Sequence, residues 1–219
     1  MATGALTALA ARIAAHLCGP HEALRVTLLQ LLAEGQPVSL GLLADHVGWP
    51  VENVAAVIHS CSDTERDQAG NIVGWGLSLL PTAHQFRLGE RTLFTWCALD
   101  TLMYPAMLGQ AAHIHSICPV TGKAVRLLAQ PTGVTNLQPA GAVVSVALPD
   151  EASSTCARDA FCAHSYYFTS HDVAQGWQTT RPATRLLAVA DAAIVAYTIA
   201  TERVRRARRL EKVPCVRHD

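Results

Sequence analysis

Apolar residues recur at helical spacing over the first sixty positions and alternate through much of the remaining chain, which therefore divides by period first. Thr7 to Cys18 reads as a helix stopped by Gly19-Pro20. Glu22 to Ala33 carries Leu24, Leu28, Leu31 and Leu32 at helical spacing, with Gly35 beyond its end. Ser39 is placed to cap a short helix through Val47, and Gly48-Trp49-Pro50 makes a turn. Val51 to Cys61 is then a helix that turns Val54, Val57 and Ile58 inward. Asp67 to Gly70 has turn composition, and Ile72–Trp75 and Leu77–Leu80 read as short strands. Closely spaced helices followed by two strands predict a winged helix-turn-helix over residues 21–80.

Past Pro81 the period changes. His84–Leu88 and Arg91–Thr95 flank Gly89-Glu90 as a hairpin. A helix runs from the Trp96-Cys97 region to about Met107, with Pro105 bending or ending it. Ala111–Ile117 and Ala124–Ala129 pair about a Pro119–Gly122 turn, and Asn136–Gln138 and Ala142–Leu148 are further strands. Ala157–Phe161 fits no single period, whereas His164–Phe168 alternates as a strand. Ser170 caps a helix over Asp172–Trp177, and Arg185–Leu210 is a long final helix. The predicted class is α+β: a winged-helix-like three-helix module over residues 1–80, then a core of mainly antiparallel strands packed with helices over residues 81–219.

Composition narrows the use of these elements. Half of the 219 residues are hydrophobic and 16% are charged, enough apolar material for a sizeable core. No apolar run approaches the ~18 residues that cross a bilayer. The alanine-rich start is interrupted by Arg12 and is preceded by no positive cluster, so it is not a secretory signal. A cytoplasmic protein with no membrane partner is expected. Through residue 80, Arg12, Arg25 and Arg66 stand against Glu22, Glu34, Asp45, Glu52, Asp63, Glu65 and Asp67. Val51–Cys61, where a recognition helix would lie, has no Lys or Arg. Phosphate contacts dominate affinity for DNA, so the module is expected to bind no nucleic acid and to pack as a structural unit. The basic end of the last helix (Arg203, Arg205, Arg206, Arg208, Arg209) is read as a solvated face that complements the helix dipole.

The seven cysteines are an odd number and include no Cys-x-x-Cys, which fits neither a disulfide framework nor a zinc site of the usual spacing. Cys18 and Cys61 read as helix-packing residues. Cys97 and Asp100 lie three apart, a spacing that puts thiol and carboxylate on one helix face. Trp96, Leu99, Leu102 and Met103 surround them with apolar surface, which displaces the pKa of both groups. By spacing alone the pair fits a hydrolase, a sensor or a core thiol beside a surface carboxylate. The ten histidines form no His-x-x-x-His pair, and none is assigned to a metal.

The segment Leu93-Phe94-Thr95-Trp96-Cys97-Ala98-Leu99-Asp100-Thr101-Leu102, followed by Tyr104-Pro105-Ala106, resembles the alkylmercury (organomercurial) lyases. So do Asp67–Leu77, Pro139-Ala140-Gly141 and Phe161-Cys162-Ala163-His164 with the aromatic Tyr166, Tyr167 and Phe168 after it. The resemblance runs from about residue 22 to 178, and both termini diverge. It implies an enzyme that breaks a carbon–mercury bond and releases the hydrocarbon and Hg(II). By carry-over, Cys97 and Cys162 are the mercury-binding thiols and Asp100 the proton carrier, itself near the Hg(II) product. Soft mercury prefers thiolate ligands, which fits the assignment. Trp96 and Phe161 are placed beside the organic group, and Cys118 is structural. Cys156 reads as a surface or core thiol or an extra mercury trap, and Cys215, after Pro214, as an exposed thiol or, as the resemblance implies for a cysteine near the C-terminus, an aid to release. Ala163 stands where some members carry a second cysteine. No dissociable cofactor is implied; external low-molecular-weight thiols are needed for release, and mercuric reductase is the implied downstream acceptor. Two rivals remain at this point: a metal-sensing winged-helix regulator built on the same thiols, and a protein that stores mercury without breaking the carbon bond.

Overall fold

The computed structural model describes residues 2–61, 63–148 and 157–210. Its first four helices are α1 (Thr3–Leu17), α2 (Glu22–Leu32), α3 (Leu40–Val47) and α4 (Val51–Ser60). Local chemistry sets their ends. The Ser39 hydroxyl accepts the Leu42 N–H to start α3, and Gly48, at φ +73°, returns its N–H to Ala44 to end it. The Asp67 carboxylate then accepts the N–H groups of Ala69 and Asn71, closing the turn between β1 (Glu65–Arg66) and β2 (Ile72–Trp75).

Strands β3 (Leu77–Ser78), β4 (His84–Leu88), β5 (Arg91–Thr95), β6 (Ala112–Ile117), β7 (Ala124–Gln130) and β8 (Gly133–Gln138) complete an eight-stranded sheet. Its order is β1-β2-β3-β5-β4-β6-β7-β8, and every neighbouring pair is antiparallel. The strands after the helical module are therefore hydrogen-bonded, through β3 and β5, to those of the rest of the chain. A second antiparallel sheet orders β10 (Tyr167–Phe168), β9 (Val143–Ala147) and β11 (Thr184–Ala188), with β9 in the middle and buried along its whole length.

Two helices occupy the space between. Helix α5 (Ala98–Leu108) buries nearly every side chain, as an all-round apolar helix must. It runs through Pro105 and stops at Gly109, φ +66°, rather than ending at the proline. Helix α8 (Val189–Leu210) packs against α1, α2 and α5. Its inner face carries Ala192, Ala193, Ala196 and Ala200, small residues that let the helices approach closely.

Three expectations need correction. The final helix starts at Val189, because Thr184–Ala188 pairs residue for residue with Ala147–Val143 as β11. An apolar run such as Leu186–Val189 fits either period, and the open edge of β9 decides it. The expected strand at His164–Phe168 is a 3-10 turn over Cys162–His164 and a two-residue strand. Arg203, assigned to a solvated basic face, is turned inward: its Nε donates to Glu22 Oε2 at 2.8 Å, and both groups are buried. Short α6 (Ala157–Ala160) covers the ambiguous stretch, and α7 (His171–Gln178) is capped by Ser170 as expected.

Candidate active site

Cys97 stands two residues past the end of β5 and immediately before α5, in extended backbone at φ −147° and ψ 167°. It is the N-cap residue, and Asp100 is the third residue of the helix. The two meet as a helix cap meets the first turn, not as neighbours on a helix face. Cys162 comes from the 3-10 turn after α6. The structure brings the three together: Cys97 Sγ, Cys162 Sγ and an Asp100 carboxylate oxygen all lie within 4.8 Å of one another. The Cys162 thiol points at Asp100 Oδ2, 3.9 Å away.

Ser165 explains how the distant turn finds the helix. The first N–H groups of a helix have no partner within it. Here the Ala98 N–H donates to Ser165 O at 3.0 Å and the Leu99 N–H to Ser165 Oγ at 3.1 Å. Ser165 itself is fully buried. Ser145 of β9 fixes the other side of the turn, donating to His164 O at 2.8 Å and accepting the Tyr166 N–H at 3.0 Å. A third tie joins Thr101 of α5 to the Tyr167 hydroxyl at 2.7 Å. The thiol separation is thus set by hydrogen bonds on both flanks of the turn.

The cluster faces a cavity of about 50 Å³ whose apolar lining includes Leu17, Leu29, Met103, Met107 and Phe161. Trp96 also lines it, so both aromatic residues singled out by sequence border the cavity. Arg25 and Arg203 reach the same cavity; the Arg25 guanidinium lies 3.8 Å from the Trp75 ring centroid. Arg158, four residues before Cys162, stacks 4.5 Å over the Trp96 ring and pairs with Glu65 at 2.9 Å. The segment that carries Cys162 is latched in this way to β1.

Burial governs the electrostatics. It raises the Asp100 carboxyl to about 6, against the opposing pull of the Cys97 thiol, Arg203 and Tyr104. It raises the Cys97 thiol as well. Cys162 is pushed well above the ordinary thiol range, first by the adjoining Cys97 sulfur and then by burial. At neutral pH the resting site therefore holds two protonated thiols and a mostly ionised carboxylate. Two thiols and a carboxylate at this spacing suit a soft metal ion, with the carboxylate free to take a thiol proton.

The alkylmercury lyase family profile matches residues 77–201, and that of the helix-turn-helix domain of alkylmercury lyase matches residues 7–76. The chain belongs to the alkylmercury lyase family. It is 45% identical over 165 residues to the alkylmercury lyase of Staphylococcus epidermidis, covering 75% of this chain and 76% of that one. With the alkylmercury lyase of Pseudomonas putida it shares 42% identity over 175 residues, covering 80% and 82%. The mercury-bound form of MerB2, seen by crystallography, has the same fold: TM-score 0.73 at 22% identity, covering 90% of this chain and 98% of that one. The chain is a lyase, and a regulator built on the same helices is not favoured. Among the described residues, no helix is long and apolar enough to cross a membrane.

The other described cysteines of this alkylmercury lyase do not line the cavity. Cys118 follows β6 directly, has no exposed surface and does not line the site. Cys18 is buried and Cys61 half-buried, both in the helical module. Cys156 and Cys215 lie outside the described residues. Sequence reasoning misses Ser165, Tyr104, Arg158 and the Glu22–Arg203 pair. Tyr104 is within its reach, since it lies one helical turn from Asp100. The others depend on contacts across the chain that no local pattern signals.

Proposed function

We propose that this alkylmercury lyase breaks the carbon–mercury bond of alkyl and aryl mercurials by protonolysis, with Cys97 and Cys162 as mercury ligands and Asp100 as proton carrier. The observation that carries this reading is the convergence of two sulfurs and a carboxylate oxygen within 4.8 Å inside a largely apolar cavity. Two metal–sulfur bonds of about 2.3 Å, the length typical for zinc, span roughly 4.6 Å when collinear, so sulfurs at this separation are suited to a shared two-coordinate mercury.

In the first step the Cys97 sulfur bonds to mercury and displaces the ligand opposite carbon, which leaves with the Cys97 proton. The Cys162 sulfur then adds to mercury while its proton passes to Asp100, the base it already faces. The second sulfur pushes electron density through mercury onto carbon. Asp100, now an acid, donates that proton to carbon; the carbon–mercury bond pair becomes the new C–H bond, and R–H leaves. Hg(II) remains on Cys97 and Cys162. The balance is one organomercurial and two thiols in, one hydrocarbon, one dithiolate-bound Hg(II) and one protonated leaving ligand out.

No dissociable cofactor enters these steps. Release requires outside thiols to replace the two protein sulfurs and return their protons, which suits the thiol-rich, reducing cytoplasm. Mercuric reductase is the downstream acceptor this reading implies. Trp96 and Phe161 shape the seat of the organic group, and Cys118 serves structure.

The test is methane release from methylmercury by the purified protein with excess thiol. Wild type should release one methane per Hg(II) formed. Asp100→Ala should still take up mercury but lose about 10²- to 10⁴-fold in methane release, the usual contribution of a positioned acid–base group. Mercury uptake without methane by the wild-type protein would mark it as a storage protein; undiminished release by the variant would remove Asp100 from the mechanism.

A further inference from the structure

The lining of the active-site cavity divides by origin. Cys97, Asp100 and Cys162 come from the part of the chain that matches the alkylmercury lyase profile, residues 77–201. Leu17, the last residue of α1, and Leu29, on α2, come from the helix-turn-helix part, residues 7–76. The two leucines bring no chemistry to the cavity, only shape. Their helices are held by charge as well as by packing. Glu22, in the first turn of α2, forms a buried two-point ion pair with Arg203 of α8, Nε to Oε2 at 2.8 Å and Nη2 to Oε1 at 3.4 Å. Glu22 Oε1 also accepts the Gly19 N–H at 3.1 Å, and Arg206 Nη1 donates to Cys18 O at 3.4 Å. The turn between α1 and α2, which begins just past Leu17, is therefore tied to α8. Pulling it away would leave a buried charge unpaired, so this wall resists displacement.

We propose that Leu17 and Leu29 are specificity-determining residues: as the fixed wall of the cavity, they set the size of the organic group that is cleaved fast. This rests on the cavity being the place where the carbon–mercury bond is broken, as proposed above. The argument is one of volume. The cavity holds about 50 Å³. An apolar cavity of about 150 Å³, lined by leucine, isoleucine and phenylalanine, admits a benzene ring. The smaller space suits a methyl group on mercury, whereas an aryl group needs the lining to yield. Met103 and Met107, on the α5 side, are unbranched and adapt their shape readily. Leu17 and Leu29 are branched, and Leu29 is buried on a helix that the ion pair fixes. The limit on size therefore lies with the leucines. On this reading the helix-turn-helix part has a task that needs no DNA.

Leu17→Ala and Leu29→Ala, made singly in the full chain, test the wall. With excess thiol, kcat/KM is measured for methylmercury and phenylmercury as methane and benzene released. Each variant's phenyl-to-methyl ratio is then divided by that of wild type, so that the intrinsic difference between the two bonds cancels. Each alanine variant should raise this quotient roughly tenfold or more, the discrimination carried by a methylene or so of pocket volume. Leu17→Phe, which adds bulk to the same wall, should lower it by a similar factor. Leu17 is half-buried, so its variants report even if Leu29→Ala does not fold. Quotients that stay within about twofold of one for both Leu17 variants, the ordinary scatter of changes away from a site, overturn the proposal. A parallel fall for both substrates would mark a packing role and overturn it too. If wild type takes up mercury but releases neither methane nor benzene, the protonolysis reading itself fails and takes this proposal with it.

Discussion

Cys97 and Cys118 are both buried cysteines just past the ends of strands, yet their surroundings drive their thiols in opposite directions. Cys97 is raised, by burial first and by the Asp100 charge, against the opposing pull of the Cys162 thiol. At Cys118 burial also pushes upward, but the Thr121 hydroxyl and the N–H groups of Thr121, Val120 and Thr169 outweigh it, and the thiol is lowered. The better thiolate is therefore the one outside the cavity. The difference shows what the site is built to do. A reactive cysteine is commonly made by stabilising its anion in advance. Here both site thiols are raised, and on the proposed reading the Asp100 carboxyl, raised to about 6, takes a thiol proton when a soft metal arrives. The proton is a reagent of the reaction, so holding it is part of the function.

The comparison is sharpest in turnover. Cys162→Ser is expected to lower methane release from methylmercury by roughly 10³-fold or more, since a serine oxygen is neither a soft ligand nor a ready proton donor. Cys118→Ser should keep turnover within about threefold, because residue 118 lines no part of the cavity, and changes away from a site seldom exceed that. Comparable losses in both variants would break the distinction between them.

Stability against pH gives the next largest effect. The folded-state pKa of Asp100 is raised by burial to about 6, from an ordinary carboxyl near 4. The native state holds this proton more tightly than the unfolded chain. The group's favourable contribution is then complete below about pH 4 and is lost as pH rises through about 6. Asp100→Asn, which never ionises, should be more stable than wild type by about 2–3 kcal/mol at pH 8 and by nearly nothing at pH 4. Urea denaturation at the two pH values reads the difference. An equal difference at both would show that the carboxylate is not strained by burial.

How much of the fold and site is legible in the chain depends on the range of the contacts. The hairpin β4–β5 reads correctly because Phe86, Leu88 and Leu93 alternate inward with polar neighbours. Helix α3 reads correctly because Ser39 and Gly48 mark its two ends. Thr184–Ala188 does not, because its local pattern suits two periods and only the edge of β9 chooses between them. Cys97 and Asp100 pair as expected, but as cap and first turn rather than as helix-face neighbours, a difference of one residue in where α5 begins. Their meeting with Cys162 is signalled by family resemblance alone. No periodicity reports a contact made through Ser165, 66 residues from the helix N–H it satisfies.

That contact yields a smaller effect. Ser165→Ala removes the acceptor for the Leu99 N–H while leaving the backbone bond to Ala98. Loss of a helix-capping oxygen costs about 0.5–2 kcal/mol. Because the same bond sets how the Cys162 turn meets α5, methane release should fall as well, by several-fold, whereas Cys118 chemistry should not change. Thermal denaturation and turnover, measured on one preparation, check both. A variant that loses stability with unaltered turnover would show that Ser165 caps the helix without setting the thiol spacing.

The smallest effect returns to Cys118. Thr121→Val deletes the hydroxyl that is the foremost group lowering this thiol and keeps the shape of the side chain. A thiol lowered in the folded state contributes stability above its unfolded pKa, near 8.5, and loses that contribution as pH falls through the folded value. At pH 6 the variant should therefore lose only what the Thr121 hydroxyl contributes as acceptor of the Lys123 N–H, a long bond of 3.3 Å. It should become less stable than wild type by about 1 kcal/mol at pH 9, the scale of one hydrogen bond to a charged group at its lower end. The sign separates the two cysteines, because removing a donor from Cys118 matters only where the thiol is ionised. The Asp100→Asn gain also grows with pH, but it arises from removing a charge that burial opposes. A Thr121→Val penalty that is the same at pH 6 and pH 9 would mean that the hydroxyl supports the turn and not the thiolate.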